Sequence, residues 1–371
     1  MKKILIFYVS RHSGHYHAAK AIEAAFGSVL GDAKIKTVNG LNYVNPILGA
    51  IVDKAYIQLI KKKPQFWGDI YDNPDVLKRT AGLRDTLSKF NLPKIKKLIE
   101  TFSPDIVYCT QAFPCGMISD YKLKTGAKLP LVAVLTDHAP HSYWLHEGVD
   151  IYVVPSAATA DALANKGVPR SRIKEYGIPI DPRFAIKGDK ASARRELGLE
   201  GDDPVLLVMG GNQGLGALED AARALVEEKE HRYRLILVAG FNRRLYKRLK
   251  KFAVRDARND IRVFSFVDNI DLLMEASDLI VTKAGGMTIS EAMAKGLPMI
   301  IVKPIPGHEK RNADILVEQG AAVEIKDLSS LRGAVNRMFS GEEDLNRMKQ
   351  GVSALARPES AIDIAKLALQ V

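Results

Sequence analysis

Cysteine is almost missing from this chain: Cys109 and Cys115 are the only two among 371 residues. Two thiols build neither a disulfide framework nor a four-ligand zinc site. Long apolar runs are missing too. The longest, Leu129 to Leu135 and Leu297 to Val302, fall far short of the ~20 residues a membrane-spanning helix needs. The apolar N-terminal stretch stops at Ser10-Arg11-His12, too soon for a signal peptide, so it reads as a buried first strand. The sequence has no Gly-Lys-Ser/Thr loop, full Gly-x-Gly-x-x-Gly fingerprint, His-Glu-x-x-His or Asp-x-Asp. Internal repeats and low-complexity tracts are lacking as well. A soluble, cytoplasmic protein with no bound metal is expected.

What is present is globular: 47% hydrophobic and 26% charged residues, with 28 Gly and 17 Pro. Those proportions exclude a disordered, collagenous or coiled-coil chain. The length exceeds the comfortable size of one core, so two domains are expected. Net charge is +11, and it is focal: residues 54–97 carry +7, residues 232–262 carry +9, and the remainder carries −5. Focal basicity points to a polyanion, either nucleic acid or an anionic membrane surface, or to two solvated helix faces.

Apolar runs alternate with helical periodicity along nearly the whole chain. Strands are expected at Lys3–Val9, Ile35–Val38, Ile106–Cys109, Leu131–Leu135 and Ile151–Val154. Pro179 and Pro182 then break the rhythm, which places the domain junction there. A second series follows, with strands at Val205–Met209, Leu235–Ala239, Ile261–Phe264, Leu279–Val281, Met299–Val302 and Ala322–Ile325. Helices between them include Ala217–Glu228, Arg243–Ala253 and Thr288–Lys295. The pattern predicts an α/β fold of two doubly wound parallel sheets, with ligands at the carboxyl ends of the strands in a cleft. Residues 1–180 form the first domain, 181–355 the second, and 356–371 a C-terminal helix that can cross back to the first.

The segment 43–72 departs from that rhythm. Ile47, Leu48, Ile51, Val52, Ala55 and Leu59 lie at helical spacing, followed by Lys61, Lys62, Lys63, Phe66 and Trp67. An apolar face, a lysine cluster and adjacent aromatics suit an interfacial membrane helix, although an ordinary packed helix reads the same way.

Three glycine-bearing loops stand where strands end and helices begin: Ser10 to His15, Met209 to Gly214, and Thr282 to Glu291. Glycine admits close approach of backbone to phosphate, and the following helix N-terminus offers free N–H donors. In the third loop Gly285, Gly286, Met287 and Thr288 open a helix that carries Glu291. A carboxylate there suits a ribose diol, the layout of a nucleotide-sugar diphosphate site; a tight turn with a capping glutamate is the plainer alternative. Downstream, His308, Glu309 and Asn312 follow two prolines, a stiff loop suited to sugar hydroxyls or simply a capped helix.

Six of the eight histidines cluster as His12, His15, His17 and as His138, His141, His146. His15 sits at the end of the first strand, where its ordinary pKa of ~6.5 suits a base near neutrality. Asp137 ends another strand on the same rim and would orient or charge-stabilise the imidazole.

The segments TKAGGMTISEAMAKGLPMIIVKPIPGHEKRNADILVEQGAAV (282–323), TDHAPHSYWLHEGVDIYVVPS (136–156), YGIPIDPRF (176–184), PDIVYCTQAFPCG (104–116) and SRHSGHYHAAKAIEAAF (10–26) together resemble the monogalactosyldiacylglycerol synthase and processive diacylglycerol glucosyltransferase family. The likeness runs in order over nearly the whole chain. It implies a GT-B architecture of two Rossmann-like domains and inverting, metal-independent transfer of a hexose from a UDP-sugar to a lipid hydroxyl of diacylglycerol type. It further implies that His15, following Gly14, is the base, and that Gly211, Asn212 and Gly214 face the diphosphate. Phe266 and Val267 match the turn around uracil, Glu291 the ribose carboxylate, and His308, Glu309 and Asn312 the surroundings of the hexose.

Segment 43–72 matches the family's membrane-docking region, which implies peripheral association with an anionic membrane surface on the cytoplasmic side. No cofactor beyond the UDP-hexose substrate is implied, and no nucleic-acid motif is visible. Two departures stand out. The first loop reads Arg11-His12-Ser13-Gly14 where the family carries a glycine run, and His308 replaces a common glutamine. Two other readings of the same motifs remain open: an N-acetylglucosaminyltransferase acting on a polyprenyl-linked cell-wall precursor, and a UDP-sugar epimerase.

Overall fold

The computed structural model describes residues 1–47, 49–50, 92–138, 140–199, 201–214, 216–226, 233–255 and 260–370. The chain divides into two compact units. The first comprises Met1–Pro182, Pro306–His308 and Glu359–Val371; the second comprises Arg183–Ile305 and Glu309–Pro358.

The first unit is built on a sheet of β1 (Lys2–Tyr8), β2 (Ala33–Asn39), β3 (Ile106–Cys109), β4 (Leu131–Val134), β5 (Ile151–Val153) and β6 (Ile173–Lys174). All neighbours pair in parallel, in the order β2-β1-β3-β4-β5-β6. Along β1, Leu5 and Phe7 join one core layer with Val107 and Cys109, while Ile4, Ile6 and Tyr8 join the other with Ile106 and Tyr108. Burial on both faces explains why this strand reads as an unbroken apolar run.

The second of those layers is closed by the C-terminus. Ala361, Ile364, Leu367 and Ala368 pack there with Ile22 and Phe26 of the helix Gly14–Val29. Two hydrogen bonds fix this return: the Tyr108 hydroxyl donates to the Ile364 carbonyl at 3.2 Å, and Ser360 Oγ donates to the Ile178 carbonyl at 2.7 Å.

The second unit holds β7 (Val205–Met209), β8 (Arg234–Val238), β9 (Ile261–Phe264), β10 (Leu279–Thr282), β11 (Met299–Val302) and β12 (Ala322–Ile325). Their order, β12-β11-β10-β7-β8-β9, is also wholly parallel. This is the doubly wound order in which the winding direction reverses between the first and fourth strands, here β7 and β10. In the first unit the reversal falls between β1 and β3. Ligand sites in such sheets open beyond the carboxyl ends of the strands that flank the reversal.

The strands lie where periodicity puts them, within a residue or two at each end. The two-residue edge strand β6 is an addition, too short to carry a pattern of its own. The helix expected over Ala217–Glu228 is seen as Leu218–Val226, with 227–232 outside the described residues. Segment 43–72 overlaps only the last two residues of a short helix, Gly40–Val44, capped by the Asn39 side chain, which accepts from the Asn42 amide. Lys61, Lys62, Lys63, Phe66 and Trp67 lie outside the described residues.

Candidate active site

At the end of β1 the chain turns through Ser10, whose φ of 60° is a left-handed conformation usually left to glycine. Ser13 Oγ donates back to the carbonyls of Val9 (2.7 Å) and Ser10 (2.8 Å). Hydroxyls thus shape this turn. With its hydroxyl directed backwards, Ser13 gives the helix Gly14–Val29 no side-chain cap; the Tyr16 amide turns back to the Ser13 carbonyl at 3.2 Å, which leaves the Gly14 and His15 amides as the donors for an anion.

His15 follows Gly14 in that first turn. Its carbonyl accepts from Thr110 Oγ1 at 2.8 Å, and the same hydroxyl reaches the Phe7 carbonyl at 3.2 Å, so the residue after β3 fastens the residues around β1. The His15 Nδ1 lies 2.9 Å from Thr136 Oγ1, beyond the end of β4. Burial lowers the imidazole pKa; the negative charge of Asp137 and a hydrogen bond with the Thr110 backbone act in the opposite direction. The structure therefore brings His15 and Asp137 to one strand-end rim, with Thr136 at the imidazole and Thr110 at the His15 backbone.

In the second histidine cluster, His138 and His146 pack against neighbouring residues. His138 is buried, its Nδ1 is 3.4 Å from Ser156 Oγ, and its carbonyl accepts from Thr159 Oγ1 at 2.6 Å. Burial pushes its pKa down to about 4, so it is neutral in ordinary conditions. The His146 ring lies over Gly116, where a Cβ would come within 2.8 Å of it. Among the described residues, no three His, Cys, Asp or Glu side chains are grouped as metal donors.

In the second unit both predicted loops lie at the β7/β10 reversal. Gly211 (φ 67°) and Gly214 (φ 54°) shape the loop after β7, and the Gly214 amide donates to the Gly211 carbonyl at 2.9 Å. This loop packs backbone to backbone against the turn after β8. A Cβ on Gly214 would lie 2.1 Å from the Ala239 carbonyl oxygen, and one on Gly240 would lie 2.2 Å from that of Asn212. The Phe241 amide also donates to the Asn212 carbonyl at 2.8 Å. Nothing larger than glycine fits either contact.

After β10, Gly285 is the N-cap of the helix Gly286–Ala294 and offers no side chain, so Gly286, Met287 and Thr288 form an uncapped first turn. Thr288 Oγ1 is 3.7 Å from the place a Gly211 Cβ would occupy, which makes the two loops neighbours. Glu291 is half-buried in the second turn of this helix.

Glu309 and Asn312 hold the loop from behind. Asn312 is fully buried, and its Nδ2 donates to the Ala284 carbonyl at 3.0 Å. Glu309 is only 2% exposed; one carboxylate oxygen pairs with Lys283 Nζ and the other accepts from the Ile305 amide at 2.9 Å. His308, half-buried, opens the helix His308–Glu318. Phe266 stacks face to face on Phe241, with centroids 4.2 Å apart and planes 9° apart. Val267 follows in the turn after β9.

Sequence reasoning missed Thr110, Thr136, Gly240, Phe241 and Lys283. Thr136 and Lys283 stand inside quoted motifs, and their strand-end positions were the available signal. Gly240 follows β8 at the same distance as Gly211 follows β7, with Phe241 next to it, but their role depends on a contact between loops distant in sequence.

Two family models match the chain. The monogalactosyldiacylglycerol (MGDG) synthase model covers residues 15–180, and the glycosyltransferase family 28 C-terminal domain model covers residues 205–364. The processive diacylglycerol beta-glucosyltransferase of Bacillus pumilus is 31% identical over 355 residues, spanning 95% of this chain and 91% of that protein. That of Bacillus subtilis is 29% identical over 357 residues, with the same shares covered. Among solved structures, MurG of Acinetobacter baumannii superposes with a TM-score of 0.65 at 14% identity, covering all of both chains. Anabaena HepE in complex with UDP-glucose superposes with a TM-score of 0.56 at 18% identity, also over both whole chains. With two parallel six-stranded sheets and a glycine-built pair of loops at the second reversal, the chain belongs to the family of monogalactosyldiacylglycerol synthases and processive diacylglycerol glucosyltransferases, the UDP-sugar-dependent glycosyltransferases of GT-B fold.

Proposed function

We propose that this chain transfers a hexose from a UDP-sugar to the hydroxyl of a diacylglycerol-type lipid, with inversion at the anomeric carbon and without a metal. The observation that carries this reading is the meeting of Gly211–Gly214 with the uncapped turn Gly286–Thr288 at the β7/β10 reversal. Backbone donors and a helix N-terminus aimed at one place stabilise a diphosphate as its charge grows. The stacked Phe241 and Phe266 stand beside that loop for the base, with Val267 in the same turn, and Glu291 is the carboxylate for the ribose diol. His308 is assigned to the hexose, while Glu309 and Asn312 keep that side of the pocket in shape.

In the first unit His15 removes the proton from the attacking lipid hydroxyl. In the tautomer that donates Nδ1–H to Thr136, the basic lone pair is on Nε2. Asp137 stabilises the imidazolium that forms. The acceptor oxygen then attacks the anomeric carbon from the face opposite UDP, giving a β-linked glycolipid. Lys61, Lys62, Lys63, Phe66 and Trp67 are assigned to an anionic membrane surface, which makes the enzyme peripheral at the cytoplasmic face. Among the described residues, no helix is long and apolar enough to cross a membrane.

His15→Ala tests the assigned base. Turnover is expected to fall by about 10²–10⁴-fold, with UDP affinity retained. Full turnover in that variant would remove His15 from the mechanism.

A further inference from the structure

Displacement of UDP without a metal leaves to the protein the negative charge that develops on the β-phosphate, beside the charge the diphosphate already carries. As the bond from the anomeric carbon to the acceptor oxygen forms, the bond to the β-phosphate oxygen breaks. Its electron pair stays on UDP, and the acceptor's proton leaves for His15. Uncapped amides supply partial charges to the departing group. Within the two glycine loops there is also one full positive charge, that of Lys283.

Lys283 is the first residue after β10. Its Nζ is 3.4 Å from the position a Gly285 Cβ would take, and its Cε is 3.9 Å from the equivalent position on Gly211. The side chain therefore runs between the two loops that the donor reading assigns to the diphosphate. It is 15% exposed, whereas its partner Glu309 is 2% exposed and is anchored behind by the Ile305 amide. The ammonium is thus the open member of the pair and the carboxylate the buried one. An ammonium has three donors; the Glu309 oxygen takes one. Thr288 Oγ1 faces the same place from the helix side.

We infer that Lys283 is the cation that neutralises the diphosphate of the leaving UDP. Glu309 holds the ammonium in place while the site is empty, and Thr288 adds a hydroxyl donor beside it. The inference rests on the donor reading above and gives it a residue that acts on the leaving group. A charge-assisted bond that strengthens as the leaving charge grows raises kcat and not merely affinity.

Calorimetry of the full chain with uridine, UMP and UDP tests it. Lys283→Met is compared with Lys283→Met/Glu309→Gln, in which no buried carboxylate is left without its cation. Both variants are expected to lose about 10- to 100-fold in UDP affinity while uridine affinity stays within about twofold, because only the phosphates face the ammonium. In turnover, kcat is expected to fall more than KM rises. Equal losses for uridine and UDP in the double variant would mean that Lys283 merely props the loop, and would overturn the inference. Unchanged UDP affinity would overturn it too. A wild-type chain that does not bind UDP would overturn the donor reading itself, and this inference with it.

Discussion

A histidine serves as a base only while it is neutral, and His15 and His138 show how differently burial acts on an imidazole. For His15, burial lowers the pKa while the Asp137 charge opposes it. Neutral imidazole therefore persists as pH falls below the ordinary ~6.5, and the acid limb of kcat/KM should lie below that value. Asp137→Asn removes the opposing charge, so the limb should move to lower pH; a shift upward in a pH–rate profile would contradict the pairing. For His138 burial dominates, and its pKa falls to about 4. The folded chain then refuses a proton that the unfolded chain accepts near pH 6.5. Stability is fully present above pH 6.5 and should fall by about 3 kcal/mol as pH drops toward 4. Denaturant unfolding at pH 7.5 and 4.5 should show this slope, and His138→Asn should flatten it.

His15 and Asp137 could be read from the sequence because each stands at the end of an apolar run. Thr136 offered only its strand-end position as a signal; its hydrogen bond to His15 spans 121 positions and leaves no local pattern. Glu309 and Asn312 were legible as polar groups on a stiff loop. Their burial behind Ala284 and Lys283 was not, because burial is decided by neighbours that a local pattern cannot show.

At the scale of elements, the donor loops are glycine because two turns touch through their backbones. Gly240 has φ 56°, and its Cβ would fall 2.2 Å from a carbonyl oxygen that cannot swing away. Gly240→Ala should cost about 1–3 kcal/mol in stability and weaken UDP binding, measured by thermal unfolding with and without UDP. Gly296, at φ 64° with open space around it, is the control. Gly296→Ala should show conformational strain alone and keep UDP affinity. Equal behaviour of the two variants would contradict the proposed packing. The glycines after β7 and β10 were visible as turn signals, and the pair they form follows from the strand order, which periodicity alone does not order.

Across the whole molecule, two alternating series of strands and helices were enough to read two doubly wound sheets, because strands buried on both faces leave unmistakable apolar runs. What composition added was charge. The helix Arg243–Arg255 turns Leu245 and Leu249 inward and presents seven exposed cations, of which Arg248 pairs with Glu219. In the proposed membrane attachment this helix and the basic segment 54–97 supply the cations, each near-surface Lys or Arg contributing ~1 kcal/mol. Co-sedimentation with anionic phospholipid vesicles should fade between 0.1 and 1 M salt, where the screening length shrinks from about 10 to 3 Å. Binding indifferent to salt would contradict an electrostatic attachment.

The most direct test of hexosyl transfer to a lipid is UDP release from UDP-glucose, UDP-galactose and UDP-N-acetylglucosamine, with and without diacylglycerol in anionic micelles, while labelled sugar is followed into the organic phase. Release from a hexose donor that depends on diacylglycerol, with the label recovered as glycolipid, is the predicted result. Lipid-independent turnover of UDP-N-acetylglucosamine, with all label in water, would contradict it.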